Sequence, residues 1–313
     1  MQTRVPLATL VLFSTFGPAL AGPALQDKSI LPYVPNAVAA YTFGIAYGIV
    51  TLCVLFHTVR HRAWWTLCLP LGAGFMAAGF FLRIPTRTHQ TSHGLVIPMS
   101  IFIVVSPAAF LAFNYLVYGH LIVAVDENLA DRRKRRAKSP YSFIPPRLVK
   151  HVFVWSDIST FFVQIIGGTM EASVSTEKVG DRILLVGIIL QGLSYVFFTV
   201  LSVHAFRRLR AKPSDPTFLK EGNTEHPARV VFMALWFSSV FILIRSVYRV
   251  AELALGYRGT LYTHERYFLI FDSAPLFLAI SIYVIVWPST LLDEVQRRSR
   301  LYNEQGYTMR STG

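Results

Sequence analysis

The chain has 313 residues, of which 53% are hydrophobic and only 15% charged, and its net charge is +13. An ordinary soluble domain carries about 25% charged residues spread over its surface, whereas here they are bunched between long apolar blocks, which excludes a soluble globule. The basic residues fall in the short segments between blocks, where they read as topology signals for a bilayer and speak against a nucleic-acid partner.

Residues 1–21 read as a signal peptide. Arg4 supplies the positive start, Leu7 to Phe16 a short apolar core, and Ala19-Leu20-Ala21 a small-residue cleavage site. A short extracellular segment, 22–36, follows. Seven apolar stretches then come in order at 37–56, 64–82, 95–118, 152–170, 183–206, 230–253 and 267–287. Each is long enough to cross a hydrocarbon core of about 30 Å. The expected fold is an all-α, polytopic seven-transmembrane helix bundle over 37–290, with a tail at 291–313. The connections and tail place 20 Lys and Arg on one side of the membrane and 6 on the other. The richer side is the cytosol, so the N-terminus is expected outside and the C-terminus in the cytosol. The run Arg132-Arg133-Lys134-Arg135-Arg136 with Lys138 reads first as a topology determinant in a solvated loop. Its second reading is a site for anionic lipid headgroups of the inner leaflet.

Chemistry signatures are sparse. Cys53 and Cys68 sit inside apolar stretches and read as small core residues. The histidine pairs His57/His61 and His89/His93 have helical spacing, but neither has a carboxylate or cysteine companion, so no metal site is expected. The sequence holds no G-x-x-x-x-G-K-[ST] phosphate loop, no H-E-x-x-H and no G-x-S-x-G. Neither an enzyme activity nor a cofactor is expected.

Polar residues inside spans are costly there and usually face the bundle. In the fourth stretch Asp157, Thr160, Gln164, Gly167, Gly168 and Glu171 recur at helical spacing and share a face. The glycines there permit close approach of a neighbouring helix or a ligand. In the sixth, Arg245, Arg249 and Glu252 are four and three residues apart, again on one face. Depth counting puts Asp272 of the seventh stretch and Arg83 of the second near them. This gives an outer charge cluster of Arg83, Arg245, Arg249, Glu252 and Asp272 with a formal charge of +1. Within it, Arg249 is expected to pair with Glu252 or Asp272. Arg245, one turn deeper, has less obvious compensation and is the candidate for an anionic headgroup or phosphate. Asn114 falls in the inner half and Gln191 near the middle. Together Asn114, Asp157, Gln164, Gln191, Arg245, Arg249, Glu252 and Asp272 describe a polar ladder across the bilayer. It is either a path for a polar headgroup or interhelical glue. Asp157 is the candidate protonatable site. Pro98, Pro107 and Pro275 are expected to break helices locally around such a path.

Several of these residues resemble the motifs of the fungal lipid-translocating exporters, a seven-span family named for resistance to an aminocholesterol. Asp157-Ile-Ser-Thr-Phe-Phe-Val-Gln164-Ile-Ile-Gly167-Gly168 is similar to its span-four motif. Arg245-Ser-Val-Tyr-Arg249-Val-Ala-Glu252, followed by Gly256, is similar to its span-six motif. Glu265 and Asp272 stand where that family has an acidic residue and the Asp of span seven. Tyr33-x-Pro35, His57 and the Gly187-x-x-x-Gln191 spacing also match. One departure stands out: where the family has Glu-x-x-Gly-Tyr-x-x-Arg in span two, this chain has Met76-Ala-Ala-Gly79-Phe80-Phe-Leu-Arg83. Arg83 thereby loses a possible partner, as in a divergent member. The resemblance, which covers about 30–290, implies a protein of plasma or internal membranes that transports amphiphiles or gives resistance to them. The substrate class it implies is sphingoid bases, phospholipids, sterol-like toxins or porphyrins. The competing reading is a seven-span receptor or membrane-lipid stress sensor, since span count and topology suit one equally. Against the receptor, no acidic-Arg-Tyr triplet follows the third stretch, and no Asn-Pro-x-x-Tyr lies in the seventh.

Overall fold

The computed structural model describes residues 35–88, 93–125, 146–171, 177–210, 226–256 and 259–298. The expected signal peptide at 1–21, the basic run at 132–138 and His89 lie outside the described residues. Within them the chain is a bundle of long helices: α1 Ala37–Arg60, α2 Cys68–Thr86, α3 His93–Val125, α4 Pro146–Glu171, α5 Glu177–Arg210, α6 Pro227–Ala254 and α7 Glu265–Ile285. A further helix, α8, covers 288–298. A 3₁₀ turn at Trp64–Thr66 leads into α2, and a single turn at Thr260–Thr263 precedes α7.

Six of the long helices (all but α4) are long and apolar enough to cross a membrane. The outward faces are those of a lipid-facing protein. Ile45, Ile49, Leu52 and Phe56 on α1, and Leu193, Phe197 and Val200 on α5, recur at helical spacing and are each more than half exposed. The chain is an integral, multi-pass membrane protein. Helix α4 has 26 residues, about 39 Å at the α-helical rise. Asp157, Thr160 and Gln164 dilute its apolar content, and all three are buried.

Sequence neighbours pack against one another throughout, α7 returns to α1, and α3 also meets α6. Helix α3 is therefore the centre of the bundle. Phe113, Asn114, Tyr115, Val117, Tyr118, Leu121 and Ile122 are fully buried in succession, as a helix enclosed on every side requires.

Helix ends follow local chemistry. The Asn36 side chain accepts hydrogen bonds from the backbone N–H groups of Val38 and Ala39 at 2.9 and 3.4 Å, capping α1. Pro227 occupies the first turn of α6, where its missing N–H is no loss. Gly256 closes α6 with φ +73, a conformation that glycine adopts without strain. Most helices overrun the apolar stretches, because the backbone stays helical where polar flanks such as Arg207, Arg208 and Arg210 continue the pattern.

The prolines act unequally. Pro98 and Pro107 lie inside α3, which continues through both, contrary to the expected breaks. The serine before Pro107 donates to the Phe102 carbonyl at 2.5 Å, a local bond of the kind that keeps a proline-containing turn satisfied. Pro275 instead follows a π turn at Leu269–Ser273, closed by the Ala274 N–H on the Leu269 carbonyl. This turn carries Asp272, and such turns are frequent at functional sites. On α8, hydrogen bonds from Arg297 and Arg298 hold the Glu294 carboxyl down at about 2.

Candidate functional site

Most of the polar residues inside the long helices gather into two groups, with a separate Gln164–Gln191 pair between α4 and α5. The first lies toward the Lys/Arg-poor end of the bundle. Here α6 presents Arg245, Arg249 and Glu252 along one face, and the π turn of α7 presents Asp272, whose side chain is fully buried. Arg249 Nε donates to Asp272 Oδ1, and Arg249 Nη1 donates to Glu252 Oε2 at 3.1 Å. Arg245 Nε lies 3.1 Å from the same Asp272 oxygen. The Tyr248 hydroxyl donates to Glu252 Oε1 at 2.9 Å. The Tyr47 hydroxyl of α1 donates to the Ser273 carbonyl at 2.8 Å and ties α1 to the π turn.

Arg83 belongs to the same region by a different route. Its guanidinium donates to Glu265 Oε1 at 2.8 Å, and the other Glu265 oxygen accepts the Asn36 backbone N–H at 2.7 Å. Glu265 thus joins α2, α7 and the start of α1. The Phe268 ring lies between the two systems, with the Arg83 guanidinium 4.8 Å from its centroid and the Arg249 guanidinium 5.4 Å from it. Two expectations change. Arg83 pairs with Glu265, so three arginines face three carboxylates and the group is neutral rather than +1. Arg245 is compensated by Asp272 and is not a free guanidinium. Met76 and Phe80, which replace the Glu and Tyr of the resembled motif, are fully buried. Phe80 stacks with Phe43 and Tyr47 at 5.3 and 5.9 Å. The pocket that an ion pair would occupy is filled with apolar packing, and Arg83 reaches across to α7.

The second group lies toward the basic end and contains no ion pair among the described residues. Asn114 of α3 is its hub. Its Nδ2 donates to the Tyr195 hydroxyl at 2.7 Å and to Ser238 Oγ at 3.1 Å, and its Oδ1 accepts from the Tyr283 hydroxyl at 2.7 Å. The Tyr195 hydroxyl also bonds Ser239 Oγ at 3.0 Å. Helices α3, α5, α6 and α7 meet there through neutral groups alone. Beside the hub, Asp157 Oδ2 accepts the Tyr115 hydroxyl at 2.9 Å, and the rings of Tyr115 and Tyr195 are 6.1 Å apart. Asp157 is 5% exposed, and its Oδ1 has no hydrogen-bond partner among the described residues.

Between α4 and α5, Gln164 Nε2 donates to Gln191 Oε1 at 2.9 Å. Glycines permit that contact. A Cβ on Gly167 would stand 2.5 Å from the Leu184 backbone N, and one on Gly187 would stand 2.9 Å from Gln164 Cγ. Gly168 faces open space, so of the two adjacent glycines only the first serves close approach.

The two groups are separated. On α6 the buried Ile242 lies between Ser238 and Arg245, and on α7 the buried Leu276, Ala279 and Ile280 lie between Asp272 and Tyr283. Eleven residues of helix correspond to about 16 Å, so on α6 and α7 the expected ladder is interrupted by an apolar stretch, while the Gln164–Gln191 pair continues it on α4 and α5. Among the described residues no group of three or more His, Cys, Asp or Glu is placed to hold a metal ion. His57 instead stacks on Trp287 at 5.2 Å and on His61 at 6.0 Å. The residues that sequence reasoning missed are tyrosines: Tyr47, Tyr115, Tyr195 and Tyr283. Each reads as apolar in a hydropathy window, yet each is buried with its hydroxyl bonded. The available signal was the recurrence of tyrosine within otherwise aliphatic spans, since a buried hydroxyl seeks a partner.

Comparison with known proteins gives a consistent set. A family model described as RTA1 like protein matches residues 69–295. Protein RTA1 of Saccharomyces cerevisiae is 28% identical over 211 residues, covering 67% of this chain and 61% of that protein. The probable lipid transporter atnI of Emericella nidulans is 25% identical over 276 residues, covering 83% of this chain and 67% of that protein. The sphingoid long-chain base transporter RSB1 of Saccharomyces cerevisiae is 24% identical over 309 residues, covering 87% of this chain and 76% of that protein. The chain therefore spans about three-fifths of the first of these relatives and about two-thirds to three-quarters of the other two. No solved structure matches it.

Proposed function

The chain belongs to the RTA1-like family, and from that premise we propose that it moves amphipathic lipids or lipophilic toxins across a bilayer and so gives resistance to amphiphiles. The substrates of this reading are sphingoid bases, phospholipids or sterol-like compounds. One observation carries it: five of the long helices direct Asn114, Asp157, Gln164, Gln191, Arg245, Arg249, Glu252 and Asp272 into the bundle, while the outer faces of the bundle are apolar. In this reading those residues shelter a polar headgroup while the hydrocarbon tail stays in lipid. Two relatives named as lipid or long-chain base transporters support it. Without a phosphate loop in the sequence, movement is downhill or coupled to an ion gradient.

The same proposal takes α4 as a seventh span, since its polar residues face neighbouring helices and its length exceeds the hydrocarbon thickness. It places the N-terminus outside, the basic 132–138 connection and the tail in the cytosol, and the protein in the plasma membrane. The test is reconstitution into liposomes. A fluorescent sphingoid base and a fluorescent phospholipid are loaded symmetrically, and their accessibility to a membrane-impermeant quencher is followed over time. Acceleration of at least one over protein-free liposomes is expected. No acceleration of any lipid class, together with ligand-triggered signalling in cells, overturns transport in favour of a receptor.

A further inference from the structure

Buried carboxylates in this protein divide by how they are compensated. Glu252 and Asp272 each face a guanidinium, and Glu265, slightly more exposed, holds Arg83. Asp157 has none. The ionisable groups that face it are hydroxyls: Tyr115 from α3, bonded to Oδ2, and Tyr195 from α5. A carboxylate taken out of water without a counter-charge is among the costliest arrangements a membrane protein holds, which points to a use for it.

Its surroundings indicate what supplies the missing charge. Phe153 lies one helical turn before Asp157 on α4. The Phe153 and Phe198 rings pack on Tyr115 with centroids 5.2 and 4.7 Å away, and on each other at 5.7 Å. A carboxylate oxygen without a partner beside clustered aromatic faces is the chemistry that receives an ammonium group, which is attracted by the carboxylate charge and by the rings. The same chemistry repels phosphate and carboxylate headgroups. The arginines of the other group do not alter this, because three carboxylates already neutralise them.

We propose that Asp157 is the counter-charge for the ammonium group of a cationic amphiphile, bound between α3, α4 and α5 toward the basic end of the bundle. The assignment rests on the transport reading for its role but not for its test, which is equilibrium binding. Purified full-length protein in nanodiscs is titrated with a fluorescent single-chain amine and with its N-acetylated, uncharged derivative. The wild type is expected to bind the amine at least tenfold more tightly than the acetylated probe. Asp157→Asn is expected to bring the two affinities together by weakening the amine alone, and Asp157→Glu to retain the preference.

Equal binding of both probes by the wild type overturns the assignment without reference to any variant. So does a well-folded Asp157→Asn protein that keeps the preference, or one that loses both probes equally. If Asp157→Asn yields no monodisperse protein, the wild-type preference and its retention in Asp157→Glu decide. An Asp157-dependent amine preference in a protein that accelerates no lipid in liposomes upholds this site and overturns transport.

Discussion

The two polar groups of the bundle are built from opposite materials. Toward the Lys/Arg-poor end, charges are met by charges: Arg83 with Glu265, and Arg245 and Arg249 with Asp272 and Glu252. Toward the basic end, Asn114, Tyr195, Tyr283, Ser238 and Ser239 form a neutral network with one uncompensated carboxylate at its edge. A closed set of ion pairs is costly to break and carries no net charge. A neutral network holds no such charges, and the lone carboxyl beside it has no counter-charge among the described residues. Counting charged residues in spans points to the first region as the site, whereas asking which charge is unmet points to the second.

The largest effect that sharpens this contrast is expected at Asp272, which serves two arginines at once. Asp272→Ala strands both, and removal of one partner of a buried pair typically costs about 3–5 kcal/mol. The expected outcome is loss of monodisperse protein on size exclusion, or a large fall in the thermal midpoint in detergent. Asp272→Ala combined with Arg249→Ala should be less damaging than the two single losses added together, because the charges share one network. A folded Asp272→Ala protein with an unchanged midpoint would dissolve the contrast, for the first group would then not be held by its charges.

The sequence made the architecture legible and left the pairing hidden, for separable physical reasons. Six apolar stretches became helices long and apolar enough to cross a membrane because hydropathy is a local property summed over some twenty residues. The fourth stretch became α4, whose buried polar face is what the recurrence of Asp157, Thr160 and Gln164 implied. The relations on one helix or between adjacent spans were also readable, such as Arg249 with Glu252 and Asp272. Arg83 with Glu265 was not, since the two are 182 residues apart and the contact depends on how α7 closes against α1 and α2. The neutral hub stayed invisible because it is made by tyrosine and serine hydroxyls that no charge count registers. The π turn at Asp272 had a partial signal in Pro275, but the same signal at Pro98 and Pro107 had no such consequence.

A middle-sized effect is expected where α4 meets α5 and Gly167 lets the two backbones approach closely. Gly167→Ala would place a methyl 2.5 Å from the Leu184 backbone N, where no flexible side-chain end can move aside. Overpacking of this kind costs about 1–3 kcal/mol. Gly168→Ala meets nothing within 4 Å and replaces a poor helix former with a good one, a gain of up to about 1 kcal/mol. Thermal midpoints of the two variants should therefore move in opposite directions. Equal shifts would mean that α4 is not seated on α5 by Gly167.

The smallest effect is expected in the neutral network, and it tests whether that region is as easily rearranged as its composition implies. Tyr283→Phe removes the 2.7 Å hydrogen bond to Asn114 Oδ1 and leaves the ring in place, including its edge-on packing against Phe113 at 4.8 Å. Asn114 keeps its bonds to Tyr195 and Ser238. Hydrogen bonds between membrane helices average about 0.6 kcal/mol and reach about 1.7. The alternative state also finds partners: Ser238 Oγ already stands 3.5 Å from the vacated Asn114 oxygen and can turn toward it. A double-mutant cycle of Tyr283→Phe with Asn114→Val, read as thermal midpoints, should return a coupling in that range, several-fold below the Arg249–Asp272 coupling measured the same way. A coupling as large as the ionic one would make the neutral hub a rigid keystone, and the mobility that a headgroup path requires would then have to be sought elsewhere in the bundle.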